Sequence, residues 1–245
     1  MTLLAGPEFA IDATSMPGNN PGFACFPQNQ SAWVDLPVYT PAWALIDHWL
    51  DQTQAKPEPE NNVRPDLSWR IAADTGCGKS LFCSEIKHRY HHRRLRLFHV
   101  SFRPKITVTS TDLLEKWVAT VSRFVDLPEE ARKDNKILYW LKLAKESLTY
   151  HGYCVRFLVE ADRLELGAVQ VAYSLGALFL QRKEFRGISS ESCPVLPPWT
   201  ESEIAEVVRK LGQARSLTDQ QVESLWNRSR GYPLEVINEL NRILG

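Results

Sequence analysis

The chain has 245 residues, 44% of them hydrophobic and 24% charged, and its 29 basic and 29 acidic side chains give a formal net charge of zero. This length allows one substantial core, or one core with a small satellite domain. The balanced charge argues against a protein held to nucleic acid by its overall field, although a local basic strip is compatible with it. No apolar run is long enough to cross a bilayer, and the N-terminus lacks the basic region of a signal peptide.

Cysteine usage indicates a reduced protein. The cysteines are widely spaced and odd in number, at Cys25, Cys77, Cys83, Cys154 and Cys193. This spacing indicates neither a disulfide framework nor a zinc site. Free thiols in a cytoplasmic protein are the simplest interpretation, and nothing in the sequence points to a membrane partner.

The N-terminal part of the chain is difficult to interpret as a domain. Residues 1–40 are rich in proline and poor in charge, which is typical of an irregular or extended segment. Their aromatic side chains are expected to lie against the protein's own body. The apolar spacing from Pro41 to Leu50 predicts a helix that begins at Pro41. Residues 55–65 are polar, contain prolines and are interpreted as a linker.

Strands and helices alternate through the middle of the chain. Strands are predicted at Leu67–Ala72, Leu95–Phe102 and Tyr153–Glu160, and helices at 79–92, Thr111–Val125 and 128–149. This order predicts an open α/β sheet with phosphate chemistry at its carboxyl edge. The apolar run Ala172–Leu180 fits either a helix or a strand.

Only helices are predicted after residue 199. Thr200, followed three residues later by Glu203, is typical of a helix N-cap. Two further helices are predicted at 216–230 and 233–244. The chain is therefore divided into an irregular segment 1–40, an α/β nucleotide-binding core 41–198 and a small helical lid 199–245.

The strongest functional signal is the segment Ala73–Ser80, with the sequence ADTGCGKS. It follows the phosphate-loop pattern G-x-x-x-x-G-K-[ST] except that alanine replaces the first glycine. In that pattern backbone N–H groups surround phosphate oxygens, the lysine reaches the outer phosphates and the serine hydroxyl ligates magnesium. A chance turn is the weaker interpretation, because a strand precedes the loop and a helix follows it. The sequence predicts that ATP and Mg²⁺ are bound by Asp74, Thr75, Gly76, Cys77, Gly78, Lys79, Ser80 and Leu81.

The third predicted strand ends in the segment Val159–Leu164, VEADRL. Many AAA+ ATPases have D-E-A-D-R-L here, with the aspartate on magnesium and the glutamate orienting the attacking water. On that register Glu160 is the candidate catalytic residue, and Val159 replaces the aspartate. Either Glu160 and Asp162 compensate, with Asp162 and Ser80 on the magnesium, or hydrolysis is slow or absent. A purely structural role, with Asp162 paired to Arg163, is the weaker interpretation.

The γ-phosphate sensor that normally ends the fourth strand is not evident. Arg182, Arg186 and Ser189 are the candidates, and a solvated charged face is the better interpretation of both arginines.

Two segments near the C-terminus resemble the lid of AAA+ proteins of the Orc/Cdc6 and transposition-regulator type. The segment 196–203, LPPWTESE, resembles the entry to that lid, and 230–236, RGYPLEV, resembles the turn that opens its last helix. The resemblance implies that Pro233 lies near the nucleotide. Leu234 stands where an arginine often follows, which makes a second sensor doubtful.

With the phosphate loop and VEADRL, these segments are similar to the TniB/TnsC group of transposition regulators, relatives of MuB and IstB. The resemblance spans roughly residues 41–245. It implies a ring or filament of this protein on duplex DNA that binds ATP and links target-selection proteins to a transposase. The departures at Ala73, Val159 and Leu234 imply weak or impaired hydrolysis, so that ATPase activity is left open.

A basic strip follows the phosphate-loop helix. Its candidate DNA contacts are Lys87, Arg89, Arg93, Arg94, Arg96, Arg103 and Lys105. Such side chains bind the duplex backbone, and the resemblance favours this role. Basic residues are also favoured at a helix C-terminus by the dipole, so a merely solvated surface is the alternative. His91 and His92 lack companion ligands and are not interpreted as a metal site.

Two other functions share the phosphate loop. One is a degenerate ATP-binding scaffold in a defence or signalling complex, which makes only protein contacts and ignores duplex DNA. The other is a small-molecule kinase, which the helical lid disfavours.

Overall fold

The computed structural model describes residues 34–52, 69–103, 106–129, 136–182, 193–211 and 217–244. Of the irregular segment, residues 34–40 fall within these ranges, and the aromatic residues before Val34 and the linker 55–65 lie outside them. Val34, Leu36 and Tyr39 are buried in the core. A 3₁₀ turn at Pro37–Tyr39 leads into helix α1 (Thr40–Asp51), so this end of the segment packs on the protein itself.

The core is a parallel five-stranded sheet. Its strands are β1 (Arg70–Ala73), β2 (Leu95–Ser101), β4 (Cys154–Glu160), β6 (Leu178–Gln181) and β7 (Val195–Leu196). They are ordered β2-β4-β6-β1-β7, which places β1 between two partners inside the sheet. Strands β3 (Thr107–Val108) and β5 (Arg163–Leu164) form a separate parallel pair. The predicted α/β fold is confirmed.

Four helices lie between the strands of the core, and three further helices follow the last strand. The core helices are α2 (Lys79–Arg89), α3 (Ser110–Val121), α4 (Ile137–Tyr150) and α5 (Leu166–Ser174). The last three helices are α6 (Glu201–Leu211), α7 (Asp219–Ser229) and α8 (Pro233–Leu244). None of the helices in the described ranges is long and apolar enough to span a bilayer.

The ambiguous run Ala172–Leu180 belongs to two elements. It holds the end of α5 and most of β6, separated by a turn in which Gly176 has φ +66°. The predicted helix 128–149 begins later, at Ile137. Thr200 and Glu203 form the predicted cap, because the Thr200 N–H donates to Glu203 Oε2 at 2.7 Å and the Glu203 N–H donates to Thr200 Oγ1 at 3.3 Å.

The two faces of the sheet belong to different hydrophobic clusters. Leu158 of β4 lies in the cluster that contains α1, α2 and the last three helices. Phe157 and Val159 point to the opposite face, into the cluster that contains α3, α4 and α5. This alternation follows from the pleat of the strand, and it decides which side chains of β4 face the phosphate loop.

Candidate nucleotide-binding site

The phosphate loop connects β1 to α2 at the carboxyl edge of the sheet. Gly76 and Gly78 have φ values of +87° and +77°, in the left-handed region where glycine is favoured over other residues. Gly78 is the N-cap residue of α2 and carries no capping side chain. The first N–H groups of this helix therefore have no partner within the helix, which is the arrangement that binds anions.

The lysine and serine of the motif stand at the start of α2. Lys79 Nζ donates to the carbonyl oxygens of Ala73 and Asp74, both at 3.1 Å, so its ammonium group lies across the loop. Ser80, like Thr75, is exposed, and Leu81 is half-buried. Cys77 is fully buried, and burial raises the pKa of its thiol to about 11. Cys77 thus contributes its backbone and its packing rather than a thiolate.

The turn between α7 and α8 contacts the phosphate loop directly. The Leu234 N–H donates to the Gly76 carbonyl oxygen at 3.1 Å. A Cβ placed on Gly76 would lie 3.6 Å from the Tyr232 ring, and one placed on Gly78 would lie 3.9 Å from Pro233 Cβ. Pro233 is therefore beside the loop, while the exposed Leu234 side chain brings no charge to it.

Glu160 ends β4 on the face covered by α2. Its Oε2 lies 3.4 Å from His99 Nε2. Burial opposes ionisation of Glu160, but His99 and then Lys79 hold the pKa of this carboxyl below its usual value. Burial likewise opposes the charge on His99, and Cys83 and Glu160 overcome it and raise the pKa of the imidazole to about 10. Both groups are therefore charged at neutral pH.

The residues on either side of Glu160 do not provide a second free carboxylate at the position of the motif's aspartate. Val159, which precedes Glu160, is fully buried on the sheet face opposite α2, and Ala161, which follows Glu160, is also buried. Asp162 forms an ion pair with Arg182, with a distance of 3.0 Å between Oδ2 and Nε. Asp162 is thus paired with Arg182, which follows β6.

Gln181 is a residue that the sequence reasoning missed. It is the last residue of β6, which is the fourth strand of the main sheet in chain order, and it pairs with Ala72 of β1. Its side chain is fully buried, and within the described part of the chain neither its amide nitrogen nor its amide oxygen has a hydrogen-bond partner. An unsatisfied buried amide is costly, so Gln181 is a candidate ligand contact. The sensor candidates Arg186 and Ser189 lie outside the described residues.

Most arginines of the basic strip contact the protein itself. Arg89 pairs with Asp35 and lies 4.0 Å from the centre of the Trp43 ring. Arg93 Nη1 is 2.5 Å from Asp51 Oδ1.

The other strip residues divide into stacked and exposed groups. The guanidinium groups of Arg94 and Arg96 each lie 4.5 Å from the centre of the Tyr153 ring. Lys87, Arg94 and Arg103 are exposed to solvent. Lys105 is outside the described residues. The basic strip is thus partly a structural feature and partly an exposed cationic surface.

Comparison with known proteins identifies the fold. No family model matches the chain, and no curated protein matches it significantly. Among solved structures, Cdc6p from Pyrobaculum aerophilum is similar, with a TM-score of 0.57 and 12% sequence identity over 90% of this chain. The fold is an α/β P-loop NTPase core similar to that of Cdc6p. The chain described here spans 64% of the Cdc6p chain, and at this identity the likeness establishes the fold alone.

Proposed function

We propose that this chain is an AAA+ regulator that binds ATP and Mg²⁺, assembles with further copies of itself on duplex DNA, and links target-selection proteins to a transposase. The hydrogen bond from the Leu234 N–H to the Gly76 carbonyl oxygen supports the nucleotide-binding part of this proposal, because it brings the turn before α8 against the phosphate loop. The sequence resemblance supports the DNA and transposase part. We divide the chain accordingly into a core at 41–198 and a lid at 199–245.

The loop residues have defined roles in this proposal. Backbone N–H groups between Asp74 and Ser80 bind phosphate oxygens, and Lys79 leaves the carbonyls of its own loop for the outer phosphates. The exposed hydroxyl of Ser80 ligates magnesium. The free thiols of Cys77, Cys83 and Cys154 support a reducing, cytoplasmic location.

The position of the carboxylates supports weak hydrolysis. Glu160 lies on the face of α2 and near Lys79, which supports a role beside the magnesium ion of the nucleotide. Ala161 follows it, and Asp162 is held by Arg182, so no further carboxylate of this strand end is available to orient water. We expect phosphate release well below the ordinary range of about 1–1000 s⁻¹. A turnover within that range would contradict this assignment.

The exposed part of the basic strip provides the test of DNA binding. The variant Lys87→Ala/Arg94→Ala/Arg103→Ala should weaken binding to duplexes of any sequence, because phosphate contacts carry no sequence information. The slope of log affinity against log salt should decrease by about 3, close to one for each lost phosphate contact. Binding is measured by anisotropy across a salt series, in the presence of ATP.

A matched control uses cations on the last two helices. The variant Arg228→Ala/Arg242→Ala removes exposed arginines that pair with Glu239, and its salt slope should equal that of the wild type. An unchanged slope in the triple variant would place DNA elsewhere on the protein. The internal pairing of Arg89 and Arg93 favours the scaffold function as second candidate, and a wild-type protein that ignores duplex DNA would establish it.

A further inference from the structure

Three potential metal ligands converge beneath the phosphate loop. Cys83 lies on α2, His99 on β2 and Glu160 at the end of β4. Their ligand atoms all lie within 4.8 Å of one another. Cys83 Sγ is 3.8 Å from His99 Nε2, and Glu160 Oε2 is 3.4 Å from the same nitrogen. Each side chain is thus placed by a helix or strand of the core rather than by a loop.

We propose that Cys83, His99 and Glu160 bind one Zn²⁺ ion or a similar thiophilic divalent cation. Ordinary Zn–S, Zn–N and Zn–O bond lengths in a tetrahedron require about 3.6 Å between sulfur and nitrogen and about 3.4 Å between nitrogen and oxygen. The two distances to His99 Nε2 need only a small adjustment to reach these values, and the Cys83 sulfur and the Glu160 carboxylate lie within 4.8 Å of each other. Three protein ligands leave the fourth position to water or to another donor.

The chemistry of the ligand set selects the ion. A thiolate and an imidazole favour zinc over magnesium, which prefers oxygen ligands. Cys83 would bind as a thiolate and His99 as a neutral imidazole, since both must be deprotonated to bind a metal. The Cys83 side chain is buried, whereas His99 and Glu160 keep 18% and 13% of their side-chain surface exposed.

The cluster does not have the geometry of a nucleophilic triad. In a triad the base uses one ring nitrogen for the nucleophile and the other for the carboxylate. Here Cys83 and Glu160 both approach Nε2 of His99. Cys83 is also only 1% exposed, so no substrate reaches it. Convergence on one point is what a metal site requires.

Zinc at this site would antagonise magnesium–nucleotide binding, because Glu160 would bind either the zinc ion or the magnesium ion of the nucleotide. This consequence rests on the proposed function. A zinc-bound Glu160 is unavailable to the magnesium ion of the nucleotide. Zinc would then inhibit nucleotide binding through Glu160, which lies near the phosphate loop but outside it. The zinc site itself is independent of that consequence.

The test is a zinc titration of the metal-free full chain against a chromophoric chelator. The wild-type chain should bind one equivalent tightly, and Cys83→Ser and His99→Gln should each weaken that binding by about 100-fold or more. Cobalt should give a thiolate-to-metal charge-transfer band that Cys83→Ser abolishes. Circular dichroism verifies that each variant is folded, and the wild-type cobalt spectrum tests the site even if a variant does not fold.

Matched controls remove other thiols and imidazoles. Cys193→Ser and His91→Ala/His92→Ala should bind zinc as the wild type does, because these side chains lie outside the cluster. Absence of the tight equivalent, or its persistence in Cys83→Ser, would overturn the site. ATP binding is measured separately without zinc. A chain that binds zinc but not ATP would contradict the proposed function and would support the zinc site. Simultaneous tight binding of zinc and Mg-ATP would overturn the antagonism.

Discussion

Replacement of Lys79 by alanine should lower the affinity for ATP by about 100-fold or more and leave the fold intact. The Lys79 ammonium lies across the phosphate loop and donates to two backbone carbonyls of that loop. Hydrogen bonds to charged groups contribute about 1.5–3 kcal/mol each, and 1.4 kcal/mol corresponds to a tenfold change in affinity. Two such bonds to outer phosphates account for the expected loss. The measurement is a titration with a fluorescent ATP analogue, accompanied by a melting curve.

Lys87→Ala is the matched control for this variant. Lys87 lies on the same helix as Lys79, near its other end, and is exposed. Its removal changes the net charge equally without touching the loop, so ATP affinity should stay within about twofold of the wild type. An equal loss in both variants would mean that Lys79 acts only through the general field. No loss in either would contradict the phosphate-loop assignment.

Replacement of Gly231 by alanine should destabilise the last three helices by about 3 kcal/mol or more. Gly231 has φ +75°, and an added Cβ would lie 2.0 Å from the Trp199 carbonyl oxygen and 3.0 Å from Trp199 N. These are backbone atoms, so the contact cannot be relieved by rotating a side chain. The Gly231 carbonyl also accepts a 2.7 Å hydrogen bond from the Trp199 N–H. Denaturant unfolding gives the loss of stability.

Nucleotide affinity should fall with it, because the same turn carries the contact from Leu234 to Gly76. Gly167→Ala is the control. Gly167 lies in the first turn of α5, and its added Cβ would meet Ser110 at an ordinary 3.7 Å. That variant should be unchanged or more stable by up to about 1 kcal/mol. A Gly231→Ala protein as stable as the wild type would show that the turn is not fixed by this contact.

The phosphate loop and its flanking elements were predictable because their signals are local. The order of strand, glycine-rich loop and helix is contained in about twenty residues, and the cap at Thr200 and Glu203 needs only four. The split within Ala172–Leu180 was not predictable, because a short apolar run fits a buried helix and a buried strand equally well. Gln181 was missed for that reason, although a polar residue closing the apolar run LFL was its visible signal.

Features that depend on distant residues were not predictable. Asp35 and Asp51 are 54 and 42 positions from the arginines they bind, so sequence density alone gave no sign that Arg89 and Arg93 are engaged. The Cys83 cluster likewise joins three separate elements without any ligand spacing that a motif would show. The motif aligned Val159 and Glu160 with the two acidic positions of the family pattern. The pleat of β4 determines which of the two side chains faces α2.

Fluorescence anisotropy of a labelled duplex is the most direct measurement of nucleotide-dependent assembly on DNA. The protein is titrated with ATP, with a non-hydrolysable analogue and without nucleotide. The proposal predicts that nucleotide promotes binding and that the analogue acts as well as ATP, because hydrolysis is not required for assembly. Anisotropy that stays flat in all three titrations would contradict the proposal and favour a scaffold that contacts only proteins.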